Sequence, residues 1–461
     1  MAESPELVVV SNRGPVSFSF DDAGNPVPKR GAGGLVSSLA PLVRGTSATW
    51  MIAAISDADR EASRAGLVEA EGFRLRMLSI DESAYRMAYD VVSNATFWFL
   101  HHAMFDLPRR PQFDHRWRQA WGAYREVNLA FARALIDTAP EGAIVLVQDY
   151  HLALVGTWLA QERRDLRAVH FTHIPFCDPD TLRVLPSEVA DELLIGMSSH
   201  ASCGFHAKRW ADNFSNCCEA VLGWRPSTFV SPIAPDHADI AGVAVSEDCE
   251  QEVAKLNEAL DGRMMILRVD RIEPSKNLLR GFQAFDDLLR THPEWRGRVV
   301  FVALMYPSRE GLPEYLAYRQ EVETLARRLN DVWSTPGWTP VLLDTSDNFP
   351  KSVAALRRYD VLLVNPVRDG LNLVAKEGAL LNENDGVLAL SREAGVWEEL
   401  GRVALEINPF DVAGTADTLA TALTMTGAER TRHAAELKKA AAAQTPRNWL
   451  DDQIRVATED N

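Results

Sequence analysis

No apolar run in this chain reaches the roughly 18 residues that a membrane helix needs. The opening, Met1-Ala2-Glu3-Ser4-Pro5-Glu6, has neither the basic region nor the apolar core of a signal peptide. No membrane is therefore expected as a partner, and the expected location is cytoplasmic. Cysteine is scarce: five residues, at 177, 203, 217, 218 and 249, an odd number without framework spacing. That pattern reads as reduced thiols and not as a disulfide scaffold. Excess positive charge is missing too, since 48 Lys and Arg face 64 Asp and Glu, for a formal net charge of −16. Phosphate backbones need a basic footprint, so no nucleic acid is expected as a partner. A phosphorylated substrate stays open, because a local Arg/Lys pocket overrides the global field.

Several motifs are also missing. There is no Gly-x-x-x-x-Gly-Lys-Ser/Thr loop and no Gly-x-Ser-x-Gly elbow, which argues against an ATPase or a hydrolase. His-Glu-x-x-His and cysteine–histidine spacings are absent, so no metal site and no cofactor is expected. Asp57-Ala58-Asp59 lies in a charged run and reads as a solvated helix start.

What is there is an alternation of apolar β-type runs and longer amphipathic runs. The chain has 461 residues, too many for one ordinary core, so two domains are expected. Residues 7–10, 143–147 and 168–171 read as buried strands, with a helix over 153–164 between the last two. Near-continuous apolar strands imply a parallel sheet covered on both faces. The pattern restarts after a charged, helix-prone connector at 246–262. Strands are then expected at 264–269, 298–303, 341–343, 361–364 and 386–390. The fold class is α/β with two doubly wound domains: 1–245, 246–445, and an amphipathic tail at 446–461 that packs back on the first.

The chemistry sits at strand ends, where open α/β sheets bind ligands. After 360–366 comes Arg368-Asp369-Gly370-Leu371-Asn372-Leu373-Val374-Ala375-Lys376-Glu377. This polar turn opens a helix, whose free N–H groups suit a phosphate or an ionised hydroxyl. Asp369 and Glu377 add carboxylates that can grip sugar hydroxyls. After 264–269 comes Arg271-Ile272-Glu273-Pro274-Ser275-Lys276. Its two cations form a diphosphate clamp, bidentate from the arginine and point-like from the lysine. After 7–10 comes Ser11-Asn12-Arg13, followed by Arg30-Gly31-Ala32-Gly33-Gly34-Leu35, a glycine run that is either a phosphate-approach loop or a tight turn. Asp149 and His151 follow 143–147, and His173 follows 168–171. Asp149 can bind sugar hydroxyls or a catalytic water. Either histidine reads equally as a satisfied structural residue.

Together these motifs resemble the trehalose-6-phosphate synthase family of retaining glycosyltransferases, over roughly residues 7–455. The markers are Ser11-Asn12-Arg13, Gly33-Gly34-Leu35, Asp149-Tyr150-His151, His173-Ile174-Pro175-Phe176, Arg271 with Ser275-Lys276, and Asp369 to Glu377. The resemblance implies the GT-B fold, two facing Rossmann-like domains with the C-terminal helix crossing back to the first. It also implies metal-independent transfer of glucose from a nucleotide diphosphate to glucose 6-phosphate, retaining the α configuration. By the same resemblance, Arg271 and Lys276 hold the donor diphosphate, and Glu377 the donor ribose. Asn372, Leu373 and Val374 line the diphosphate and sugar, and Asp369 holds donor-sugar hydroxyls through the Gly370-Leu371 turn. His173 lies near the sugar's C6 with its backbone facing the reaction centre, and Asp149 positions the acceptor. Arg13 and Arg309 bind the acceptor phosphate, with Tyr89 and Trp98 as the acceptor-site aromatic pair. The expected partners are GDP-glucose or UDP-glucose, glucose 6-phosphate, and further copies of the chain in a homo-oligomer.

The sequence departs from the family at three places. Ala53 stands three residues after Trp50, where the family has a second tryptophan; Cys177-Asp178-Pro179 replaces a proline-rich continuation; Ile272-Glu273-Pro274 replaces Leu-Asp-Tyr. These features look similar to an actinobacterial branch. That branch includes GDP-glucose enzymes and the pseudo-glycosyltransferase making validoxylamine 7′-phosphate, which joins a nucleotide cyclitol to an amino-cyclitol phosphate. A catalytically silent, sugar-phosphate-binding regulatory subunit is the remaining alternative. The turn Asp344 to Phe349 lies where the family reads the donor base. Asp347 or Asn348 accepting from guanine N1–H and N2–H₂ tilts the expectation towards GDP-glucose, by roughly 1–3 kcal/mol.

Overall fold

The computed structural model describes residues 5–31 and 34–459. Contacts divide the chain into two compact units, one of residues 1–233 with 446–461, the other of 234–445. Residues 234–245, assigned from sequence to the first domain, cluster with the second. The helix His237–Ala244 packs there against Glu247–Leu260, Phe349–Arg358 and Leu373–Leu381. The charged stretch read as a connector is itself the helix Glu247–Leu260, capped by the Ser246 hydroxyl.

The strands, in chain order, are β1 (Leu7–Val10), β2 (Val16–Phe20), β3 (Pro26–Arg30), β4 (Thr49–Ala54), β5 (Leu67–Ala70), β6 (Phe73–Ser79), β7 (Ile144–Gln148), β8 (Arg167–Thr172), β9 (Ser202–Phe205), β10 (Thr228–Val230), β11 (Met264–Arg271), β12 (Val299–Tyr306), β13 (Val341–Asp344), β14 (Val361–Val364), β15 (Val387–Ser391) and β16 (Leu405–Ile407). In the first unit they form an eight-stranded sheet, ordered β10-β9-β8-β7-β1-β4-β6-β5, parallel except for β5. In the second the order is β13-β12-β11-β14-β15-β16, all parallel. Each sheet starts in its middle and reverses direction of growth once. The reversal lies between β1 and β7 in one sheet and between β11 and β14 in the other. A crevice opens at the carboxyl ends of strands at such a switch point.

The central strands are fully buried, as their unbroken apolar runs require: Val9, Val145, Leu146, Ile266, Leu362 and Leu388 expose nothing. β2 and β3 form an antiparallel hairpin apart from the main sheet. Asp59 anchors it. Its carboxylate accepts the backbone N–H of Phe18 at 2.7 Å, and those of Ser56 and Ile55 at 2.9 and 3.2 Å. The expected solvated helix start therefore holds for the exposed Asp57 but not for Asp59, which is 4% exposed. The helix Pro446–Thr458 belongs to the first unit and lies against β7, β8 and the helix Gly34–Val43. Trp449 is its anchor, fully buried and edge-on to Phe171 at 5.2 Å. Among the described residues, no helix is long and apolar enough to cross a membrane.

Candidate active site

In the first unit the switch point gathers the ends of β1, β7 and β8. Ser11 accepts from the Trp50 indole at 2.8 Å and donates to the Arg13 carbonyl at 2.6 Å, which fixes the turn after β1. Asn12 is held by the Tyr85 hydroxyl at 3.0 Å. The exposed Arg13 guanidinium then lies 5.5 Å from the Tyr89 ring centroid. Tyr89 stacks between Tyr85 at 5.7 Å and His151 at 5.5 Å. Arg13, Tyr89 and the Asp149–His151 turn, separate in sequence, thus form one surface.

The helix carrying these tyrosines is wound in π fashion over Met87–Trp98. Wide i→i+5 winding commonly marks functional sites. Here it puts residues four to five apart on one line. Trp98 is 1% exposed and stacked on His102 at 4.1 Å. Its ring packs as a core residue.

Asp149 adopts φ +73°, a left-handed conformation that costs a non-glycine residue of order 1–3 kcal/mol. Its surroundings hold it there. Its Oδ1 accepts the His173 N–H at 3.2 Å, its Oδ2 lies 3.7 Å from His151 Nδ1, and its carbonyl meets His170 Nε2 at 3.2 Å. Burial drives the His173 ring down to about 3, so it is neutral. Both its nitrogens are engaged inside the unit, with Gln148 at 3.0 Å and His206 at 3.1 Å. Ala53 is 3% exposed within β4, and its N–H donates to the Asn12 carbonyl at 3.4 Å. Of the glycine run, Gly34 opens the helix Gly34–Val43, Gly31 donates to the Pro15 carbonyl at 2.7 Å, and Ala32 and Gly33 lie outside the described residues.

In the second unit the clamp follows β11. Pro274–Lys276 forms a single tight turn ended by Asn277 at φ +61°. Lys276 Nζ reaches Asp369 Oδ2 at 2.6 Å and Asp270 Oδ1 at 3.9 Å. Burial alone would lower the ammonium's pKa. The two carboxylates outweigh it and raise the pKa, so Lys276 stays charged. Behind it the fully buried Arg268 binds Asp270, Asn365 and the Lys276 carbonyl. Arg271 is half exposed, 3.1 Å from Glu273. Glu273, read from sequence only as a departure, organises this corner. Its carboxylate accepts from Ser308 at 2.9 Å and from Arg309 at 3.5 Å. Burial would raise its pKa, but Arg271, Arg309 and Lys276 bring it down to about 2. Arg309 also donates to the Tyr315 hydroxyl at 2.6 Å.

After β14 the turn 369–372 faces this clamp. Asn372, at φ +88°, caps the helix Leu373–Leu381 through Ala375 N at 3.2 Å and donates to Asp369 Oδ2 at 3.1 Å. Residues 393–396 clasp the turn: a Cβ on Gly395 would lie 1.9 Å from the Gly370 carbonyl oxygen, so only glycine fits. Leu371 is buried, while Leu373 and Val374 are partly exposed in the helix's first turn. Glu377, one turn further on, is half-buried, and burial pushes its carboxyl up to about 7. At the end of β12, burial pushes the Tyr306 hydroxyl up; Arg271 and Lys276 pull it down, and Asp270 and Glu377 add to the rise. The turns after β11 and β14 thus meet at one switch point, with Glu377 one helical turn further on. Asp347 is exposed beyond β13. The Asn348 side-chain oxygen accepts Lys351 N at 3.0 Å and caps Phe349–Arg358. That bond uses one of the oxygen's two acceptor positions.

The sequence profile of glycosyltransferase family 20 matches residues 5–459. The chain belongs to glycosyltransferase family 20, the trehalose-6-phosphate synthase family. A trehalose-6-phosphate synthase of Mycolicibacterium smegmatis is 31% identical, covering 96% of this chain and 90% of that protein. The E. coli structure bound with UDP-2-fluoro glucose aligns with TM-score 0.86 at 28% identity, covering 99% of both chains. A UDP-forming synthase of Burkholderia xenovorans in complex with glucose-6-phosphate aligns with TM-score 0.85 at 27% identity, over 98% of this chain and 100% of that one. The fold is therefore GT-B, as the family resemblance implied. The chain spans about three fifths of the length of two other curated relatives that it matches, 63% and 61%.

Proposed function

We propose that this family-20 chain is an α,α-trehalose-6-phosphate synthase, moving glucose from a nucleoside diphosphate glucose to glucose 6-phosphate with retention at C1. One observation carries the reading: Lys276 and Arg271 stand at the end of β11 with Asp369 and Asn372 opposite, at the end of β14. Two cations suit a diphosphate, and a carboxylate with an amide beside them suits the attached sugar. Glu377 takes the donor ribose. On the first unit, Arg13 over Tyr89 takes the acceptor phosphate and sugar face, and Asp149 orients the acceptor. Arg309 is the second acceptor-phosphate arginine. Five buried cysteines with no disulfide among the described residues fit a reducing, cytoplasmic setting.

The path is front-face displacement. The acceptor C1 hydroxyl attacks the donor C1 from the side on which the diphosphate leaves. The new C–O bond forms as the old one breaks, and the departing phosphate oxygen takes the hydroxyl proton. No protein nucleophile is needed. The chain supplies position and charge: Arg271 and Lys276 stabilise the growing negative charge, and the strained Asp149 turn fixes the acceptor.

The GDP preference rests on Asp347 and on the acceptor position that Asn348 keeps beside its capping bond. The deciding assay is product formation from glucose 6-phosphate with GDP-glucose and UDP-glucose in parallel, in EDTA. Transfer with either donor is expected, and the kcat/KM ratio reads the base preference. No transfer with either, by protein that still binds GDP or UDP, overturns the synthase. Activity on a cyclitol acceptor would then trace the difference to Ala53, and inertness towards every acceptor would leave a regulatory subunit.

A further inference from the structure

A series of five hydrogen bonds runs from the Ile233 backbone through the site's central histidine into the helix Pro446–Thr458. The Ile233 N–H donates to His206 Nδ1 at 3.3 Å. His206 Nε2 meets His173 Nδ1 at 3.1 Å, and His173 Nε2 meets Gln148 Oε1 at 3.0 Å. Gln148 Nε2 donates to Gln453 Oε1 at 3.1 Å, and Gln453 Nε2 to the Trp449 carbonyl at 3.3 Å. Gln148 and Gln453 expose nothing, and His206 exposes 4%.

Both ends of this series are backbone groups with fixed roles. An amide N–H can only donate, so His206 Nδ1 is bare and its proton sits on Nε2. That proton points at His173 Nδ1, which is therefore bare as well. His173 then carries its proton on Nε2 and donates it to Gln148. Worked from the other end, the Trp449 carbonyl can only accept, so Gln453 turns its nitrogen there and its oxygen to Gln148. Gln148 must then offer nitrogen to Gln453 and oxygen to His173. The two deductions meet at His173 Nε2 without conflict. One reversed group anywhere would set two donors or two acceptors face to face in a buried place, at a cost of about 1–3 kcal/mol.

We propose that Gln453 and His206 are positioning residues for His173, holding its ring in the Nε2–H tautomer and in one orientation. The backbone N–H of that same residue donates to Asp149 Oδ1. Fixing the ring thus also fixes the strained turn that the transfer reaction uses. The last helix sets this geometry through Gln453, although it lies 305 residues from Gln148. The catalytic half of the inference rests on the synthase reading; the tautomer half does not.

The test uses the full chain labelled with ¹⁵N-histidine. In the unaltered protein, His173 and His206 should both show a protonated Nε2 and a bare Nδ1. Gln453→Met keeps the length but offers Gln148 neither donor nor acceptor. With only the Ile233–His206 end still opposing it, the minor Nδ1–H form of His173 should become more populated than in the unaltered protein, and kcat should fall at least about tenfold, ~1.4 kcal/mol, with both KM values little changed. Should that variant fail to fold, a second pair decides. His206→Phe should show the same loss. His206→Gln, whose amide can accept from Ile233 and donate to His173, should restore most of it. A His173 proton on Nδ1 in the unaltered protein overturns the proposal. So does a lowered Tm with unchanged tautomer populations and His206→Gln no better than His206→Phe. Absence of transfer by the unaltered protein would strike the synthase reading, while the tautomer measurement still decides the relay.

Discussion

Lys276 Nζ stands 2.6 Å from Asp369 Oδ2, joining residues 93 apart in sequence. The pair ties the turn after β11 to the turn after β14, so the proposed diphosphate clamp and the proposed sugar turn are set against each other before any ligand arrives. It also keeps the lysine charged despite its burial.

Removing that ammonium tests its role in the leaving group. Lys276→Ala should lower turnover roughly a hundredfold or more, the ~3–4 kcal/mol typical of one lost preorganised donor. Asp369 keeps its bond from Asn372, so circular dichroism at the assay temperature should be unchanged. Near-normal kcat would take Lys276 out of the reaction.

Arg13→Ala and Arg309→Ala address the acceptor phosphate. Each removes charge-assisted hydrogen bonds worth ~1.5–3 kcal/mol, so the KM for glucose 6-phosphate should rise roughly tenfold to a hundredfold. Initial-rate kinetics should show the donor KM little changed. An unmoved acceptor KM in both variants would refute the assignment.

Glu377 predicts a pH dependence of donor binding. Its carboxyl is raised to about 7, so the free enzyme increasingly carries it protonated as pH falls through that value. Ribose hydroxyls donate to the ionised form. The donor KM should therefore rise as pH drops below about 7, by up to about tenfold per unit. Glu377→Gln should flatten this limb. A donor KM constant between pH 5.5 and 8 would place the ribose elsewhere.

Arg268→Met isolates the support behind the clamp. The change leaves Asp270 buried with only the more distant Lys276, and breaking such a pair costs about 3–5 kcal/mol. Thermal unfolding should show a clearly lowered Tm. An unchanged Tm would mean that the arginine is dispensable to this unit.

The central strands and the strand-end turns could be read from sequence because their signals are local. Fully buried parallel strands such as 7–10 and 361–364 are unbroken apolar runs, and the polar turn follows at once. The hairpin 16–30 and the strands β5, β9, β10 and β16 escaped because they are short or half-exposed; β6 escaped with its alternating burial, and β4 escaped although it is a buried apolar run beside β1. The π-wound stretch 87–98 escaped because its winding departs from the 3.6-residue period by which helices are read. Glu273 looked like a mere departure, since its partners Ser308 and Arg309 lie 35 and 36 residues away. Asn348 was legible as a polar turn residue, but its role as a cap depends on where the next helix begins.

The first unit is discontinuous in the chain: its β1 is made before the second unit, and its closing helix, 446–458, after it. On the ribosome, Phe171 and the Gln148–His173 corner must wait for Trp449 and Gln453 to emerge. The whole second unit is synthesised in the interval. Vectorial folding cannot complete this unit early; its apolar groove stays uncovered through the translation of more than two hundred residues. Emergence of residues 446–458, and not of the residues up to 233, is the event that assembles the histidine relay.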